Sequence, residues 1–196
     1  MFVRKPSAAG RPDLFVSAKT TVPIPARHPA LREALVRASL DPAVRAISHL
    51  PSAHVGPAAL DLDIVVVERG DGRFRLDVVP ARRIRSVADE RQFRAAAAEL
   101  RLPPLVVTAE LLRAEPVRAN CDLVWSHRGR AVPIDLRMQI LRLLVDDGPM
   151  ALDRLLAGIV GREPAAAVMA LACDDLLELD LESGPLGPTT TVRTRT

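Results

Sequence analysis

At 196 residues with a formal net charge of +3, the chain is long enough to bury a core, as one ordinary domain or two small ones. Its 48% hydrophobic and 26% charged residues read as a globular protein, and no apolar run approaches the roughly 18 residues of a membrane span. Residues 1–6, MFVRKP, give no apolar segment of signal-peptide type, and Cys121 and Cys173 have no metal-ligand spacing to a neighbouring Cys or His; a cytoplasmic protein with free buried thiols, no membrane contact and no disulfide is therefore expected.

Residues 1–27 are rich in Pro, Gly, Ser and Arg without a sustained period, and read as an arm that is flexible or laid over a partner. From His28, residues Leu31, Leu35, Val36 and Leu40 share one helical face and Pro42 stops the helix. A short strand over Val44 to His49 follows. Residues 61–80 then form a hairpin: the β-branched or apolar runs Ile64 to Val67 and Phe74 to Val78 flank the turn Gly70-Asp71-Gly72. With Asp71 at the turn centre, Asp63 lies opposite Val79 and Val65 opposite Asp77, so all four project from one face. Ile64, Val66, Phe74, Leu76 and Val78 would make the apolar face. The basic stretch Arg82, Arg83 and Arg85 leads into a helix over Ser86 to Leu100, with Ser86 as N-cap and acids in the first turn. Leu105 to Thr108 reads as a third core strand and Ala109 to Glu115 as a short helix. Helix, hairpin, crossover helix and strand make an α/β sandwich over residues 28–130.

Residues 131–196 have a different texture. Helices are predicted over Ile134 to Val145, Leu152 to Val160 and Glu163 to Leu177, and residues 178–182 and 189–196 can pair as a β wing, which together describe a small winged-helix domain. The third helix carries no basic residue, whereas a DNA reader presents Arg, Lys, Asn or Gln to the major groove. Protein contact is expected of this module rather than DNA readout. Charge divides the same way: residues 1–132 hold 21 Lys/Arg against 14 Asp/Glu, a formal +7, and residues 133–196 hold 6 against 10, a formal −4. The first part is suited to approach phosphate and the second to repel it.

The chemistry available is narrow. Two carboxylates, Asp63 and Asp77, on neighbouring strands supply the hard oxygen ligands that magnesium or manganese takes in phosphodiester cleavage; solvated strand and turn residues are the competing reading. Arg75, on the face of Asp77, and Arg82, Arg83 and Arg85 are candidates for DNA phosphate, with a solvated loop as the alternative for the last three. His49 and His54 bracket Pro51 without a third ligand and read as strand-end histidines. No nucleophile elbow or Gly-rich phosphate loop occurs. Trp125 reads as a packing anchor between the two modules.

In order, these pieces resemble the TnsA-type endonuclease of heteromeric transposons, a PD-(D/E)XK restriction-endonuclease-like α/β sandwich followed by a winged helix. The resemblance spans roughly residues 28–182. It rests on the helix ending at Asp41-Pro42, the segment Ile47 to Pro51 where the family has a strand ending in Gln-Pro, the hairpin in place of the family's Pro-Asp-Phe strand, Asp-Gly turn and Glu-Val-Lys-Pro, and Arg118 to Trp125 ahead of the winged helix. The resemblance implies that Asp63 is the metal-binding Asp and Asp77 the first acid of the (D/E)-x-K element, with magnesium or manganese as cofactor if the site is active. At the lysine position stands Val79, which cannot place a water or neutralise phosphate charge. The helical acid falls on Leu31 without a gap, or on Glu33 after a shift of two residues, about 200° around the helix axis. Such losses imply impaired or absent cleavage. The expected function is a TnsA-like subunit acting on DNA ends with a transposase and an ATPase regulator. The alternatives are a non-enzymatic adaptor docking those partners through its acidic winged helix, and a winged-helix transcription regulator.

Overall fold

The computed structural model describes residues 13–55 and 58–195, with side chains except those of 54–59. It is a mixed α/β fold. Helix α1, Pro29–Leu40, starts where the His28 Nδ1 accepts the Ala30 N–H at 3.1 Å, with Pro29 in the first turn, where no intrahelical donor is lost. It ends at Asp41, before Pro42. Strands β3 (Val44–Val55), β4 (Ala58–Arg69) and β5 (Gly72–Val78) are antiparallel neighbours, and β6 (Pro104–Val107) joins β5 in parallel, giving the order β3-β4-β5-β6. The β5–β6 crossover carries α2, Val87–Glu99, whose N-cap Ser86 accepts the Asp89 N–H at 3.1 Å. (β1, Leu14–Phe15, and β2, Ile24–Pro25, are short strands of the arm.)

Period-2 alternation places apolar side chains on both sheet faces. Leu62, Ile64 and Val66 pack on Phe93 and Ala96 of α2 and on Leu102, while Val65 and Val67 belong to the core that includes Leu35 and Val36 of α1. The hairpin register differs from the expected one. The turn is a two-residue one, Arg69 pairs with Gly72, and the ladder runs through Phe74↔Val67 to Arg75↔Val66. A slip of one residue exchanges the faces of one strand relative to the other: Arg75 and Asp77 join Ile64 and Val66 on the α2 side, whereas Leu76 and Val78 pack toward α1 with Ala34 and Leu112. The expected single apolar face of Ile64, Val66, Phe74, Leu76 and Val78 is therefore split between the two layers. Val79 leaves the sheet in a single 3-10 turn, Val79–Ala81, and does not stand opposite Asp63.

A second irregularity lies at Asp63. Leu50 pairs with Ile64 and Ser52 with Asp61, so Leu62 and Asp63 together oppose Pro51, a residue with no N–H for the ladder. Asp63 takes φ +48, a left-handed conformation that Asp tolerates better than most residues.

Part of the expected arm is paired within the fold. Residues 1–12 lie outside the described residues, but Leu14–Phe15 (β1) pairs antiparallel with Ile24–Pro25 (β2), and Thr20 bridges Ile47 of β3. Phe15 and Ile24 are fully buried, and Phe15 stacks on Trp125 at 5.4 Å and 8°.

After β6 come α3 (Ala109–Arg113) and α4 (Val117–Trp125), then α5 (Ile134–Asp146), β7 (Met150–Ala151), α6 (Leu152–Ala157), α7 (Pro164–Cys173), β8 (Leu177–Leu179) and β9 (Thr191–Thr194). The last sheet is antiparallel in the order β7-β9-β8. Every residue of α7 from Ala167 to Cys173 is buried, and Leu35, Ile47 and Val67 share one apolar core with Ile140, Val168, Leu171 and Val192. Polar contacts secure the junction. Asn120, 3% exposed, donates to Leu181 O and Gly184 O at 2.9 and 2.8 Å and accepts from Leu186 N–H at 2.8 Å. Arg195 donates to the carbonyls of Pro42 and of Val44, the latter at 2.9 Å, and to Glu178 at 2.8 Å. The two segments of opposite charge are packed onto one core.

Candidate functional site

Asp63 and Asp77 line one open cleft of about 510 Å³. It lies at the end of β4 and β5, with residues of both sheet faces, Ile64 and Asp77 on one and Val65 and Val78 on the other, along it, and its rim is formed by the start of α1, the loop after the 3-10 turn and the first turns of α2. Six arginines line it, Arg27, Arg75, Arg82, Arg83, Arg85 and Arg94, against three acids, Asp63, Asp77 and Glu90. The resulting excess of positive charge is what a phosphate-binding groove requires.

The 3-10 turn brings Arg82 back over the end of β5. Its Nε donates to Asp77 Oδ1 and its terminal nitrogen to Oδ2, both at 2.8 Å, and Arg75 approaches Oδ2 at 3.6 Å. This two-point fork is the strongest geometry open to a carboxylate and a guanidinium. The Arg82 hydrogen bonds hold the Asp77 carboxyl below the usual carboxylate range against the opposing effect of burial, with the Arg82 and Arg75 charges adding to the shift. The Asp77 side chain is 11% exposed and that of Arg82 54%, so the arginine covers the acid from the solvent side.

Asp63 is held by other partners. Its Oδ1 is 2.8 Å from His49 Nε2, and Oδ2 faces Arg83 at 3.4 Å and Arg27 at 3.8 Å. Arg83 also reaches Asp61 at 3.4 Å. Arg85 lies 4.0 Å above the Phe93 ring and donates to Leu62 O at 3.3 Å, and Arg75 lies 5.5 Å from the same ring. The aromatic face and the carbonyl fix these guanidiniums.

Leu31 of α1 lines the cleft, whereas Glu33 is exposed and lines a separate groove with Arg37, Arg118 and Trp125. The structure thus corrects Glu33 as a partner of Asp63 and Asp77, because two residues of helix carry it to another face. Val79, 38% exposed, is not among the lining residues. The sequence reads His49 as a strand-end histidine and gives Arg27 and His28 no part in the site, whereas His49 meets Asp63 and Arg27 and His28 line the cleft. His49 had a usable signal, since it pairs with Val65 two residues from Asp63; Arg27 and His28 depended on the placement of the arm. The His54 side chain lies outside the described residues.

Magnesium or manganese, which the resemblance implies, does not fit this donor set. All four carboxylate oxygens of Asp63 and Asp77 face His or Arg nitrogens at 2.8 to 3.8 Å, and a hydrophobic side chain occupies the helical position. Among the described residues no group of three or more His, Cys, Asp or Glu is placed to hold a metal ion. A larger groove of about 600 Å³, between α1, β6 and β8–β9, contains none of the expected site residues. No helix among the described residues is long and apolar enough to cross a membrane.

No protein-family model matches the chain, and no curated protein matches it either.

Proposed function

We propose that this chain is a TnsA-like subunit that binds DNA ends through the arginine-lined cleft, together with a transposase and an ATPase regulator, and that it does not cleave. The observation that carries the reading is the Arg82 fork on Asp77 inside a basic cleft. It keeps a nuclease-like arrangement of strands and carboxylates while replacing the cationic chemistry of cleavage with fixed arginines. The order helix, three antiparallel strands, crossover helix and parallel strand supports a PD-(D/E)XK-like sandwich, and three helices with a three-stranded sheet support a winged-helix unit after it. Arg82 and Arg83 are half-exposed and present donors to the cleft mouth. Phosphate contacts of this kind position a duplex without reading its sequence.

The burial of α7 favours the adaptor element of this reading over DNA readout by residues 131–196. A helix packed into its own chain from Ala167 to Cys173 cannot enter a major groove, which also removes the main support for a transcription regulator. The exposed acid of the wing, Glu182 at 81%, suits a basic protein partner better than DNA.

Cleavage is tested by incubating the full chain with supercoiled plasmid and manganese, alone and with a cognate transposase. The expected result is no nicking beyond that of Asp63→Ala and Asp77→Ala proteins. Nicking by the wild type that both substitutions abolish would overturn the reading.

A further inference from the structure

The disagreement between the expected metal and the observed donors has a specific chemical content. A divalent cation at paired carboxylates does two things: it neutralises them and offers a positive surface to phosphate. Arg82 meets both requirements at Asp77. Two of the five N–H groups of a guanidinium are spent on the carboxylate, which leaves three directed away from it on a side chain 54% exposed. Arg82 is also tethered: it follows a 3-10 turn containing Pro80, whose fixed φ limits how far the loop can open.

We infer that Arg82 is the resident cation of this site, standing where a nuclease would place a metal ion, and that it closes Asp77 to divalent cations while presenting its outward N–H groups to one phosphodiester of the bound DNA. The second half rests on the DNA-binding reading above; the first half does not. Asp77 in this account is a positioning residue, since it fixes the fork and touches no ligand. The bound phosphate replaces water at the outward N–H groups without a change of protonation.

Two measurements on the full chain separate the claims. Manganese titration followed by the electron paramagnetic resonance of the free ion, without DNA, is expected to give the same curve for wild type and Asp77→Asn. A saturable wild-type site lost in Asp77→Asn would overturn the inference. Duplex DNA binding is then measured against salt concentration in EDTA. Arg82→Ala is expected to weaken binding about fivefold near 0.15 M salt and to reduce the slope of log K against log salt by about 0.9, the value of one phosphate contact. Arg82→Lys is expected to keep most of the slope. An unchanged slope in Arg82→Ala, with a native thermal transition, would overturn the phosphate half. If wild type fails to bind DNA at all, the functional reading and the phosphate half fall together, and the manganese result still decides whether Arg82 closes Asp77.

Discussion

The junction between the two charged segments makes a sharp prediction through Lys19, whose side chain is 2% exposed. Its ammonium donates to Asp41 O at 2.7 Å and lies 3.2 Å from Asp175, just after α7. Asp175→Ala strands that ammonium with one carbonyl. Breaking a buried pair from one side costs about 3–5 kcal/mol, and because Asp175 is 26% exposed the bottom of that range, about 3 kcal/mol, is expected. Lys19→Met removes the charge and keeps the apolar stem. Asp41 O still accepts from Val44 N–H at 3.1 Å, and Asp175 keeps Arg195 at 3.5 Å, so this change should fall within about 1 kcal/mol of wild type. Burial pushes the Lys19 pKa down, with Asp175 opposing the shift. The unfolded chain therefore binds this proton more tightly, and stability should rise with pH from the folded pKa up to the ordinary lysine value. Urea unfolding from pH 7 to 10 checks both points. Equal stability of the two variants, or the same alkaline pH dependence in Lys19→Met, would refute the placement of a buried ammonium at this junction.

Three further outcomes follow from the packing. Phe15→Ala should destabilise the chain by about 3–5 kcal/mol in chemical denaturation, since the ring is fully buried against Trp125; a loss under about 1 kcal/mol would mean that the arm is not docked. Because Arg82 lowers the Asp77 pKa, this pair stabilises the fold above the ordinary carboxylate pKa and its contribution is lost as pH falls through the folded value. Asp77→Asn should accordingly flatten the acid limb of the stability curve below about pH 4, measured by thermal melts across that range. Burial pushes the thiols of Cys121 and Cys173 up to about 11 and about 12, so neither should react with a thiol reagent at neutral pH until denaturant is added.

Local chemistry was legible where it is self-contained. Ser86 as N-cap, Pro42 as a stop, and the β-branched runs around Gly70 and Gly72 specify α1, β4, β5 and α2 without tertiary help. The hairpin register was not, because Gly70-Asp71-Gly72 is compatible with a two- or a three-residue loop, and one residue of slip reassigns every side chain. The arm strands, two residues each, are too short to show a period and exist because the body holds them. The all-round apolar surface of α7 was a readable sign of burial, but what it packs against was not. In the site, both carboxylates were found from the hairpin, while the partners that define their chemistry were not. Arg82 reaches Asp77 only because a 3-10 turn reverses the chain, and Asp63 meets His49 and Arg83 only because a bulge opposite Pro51 turns it.

The central claim, that the cleft takes DNA phosphate on its arginines without a metal, is tested most directly by duplex DNA binding followed by fluorescence anisotropy, in EDTA and in millimolar manganese at matched ionic strength. Equal affinities in the two buffers and a shallower salt dependence for Arg83→Ala are expected. Binding that requires manganese, or that is lost in Asp77→Asn only when manganese is present, would contradict it.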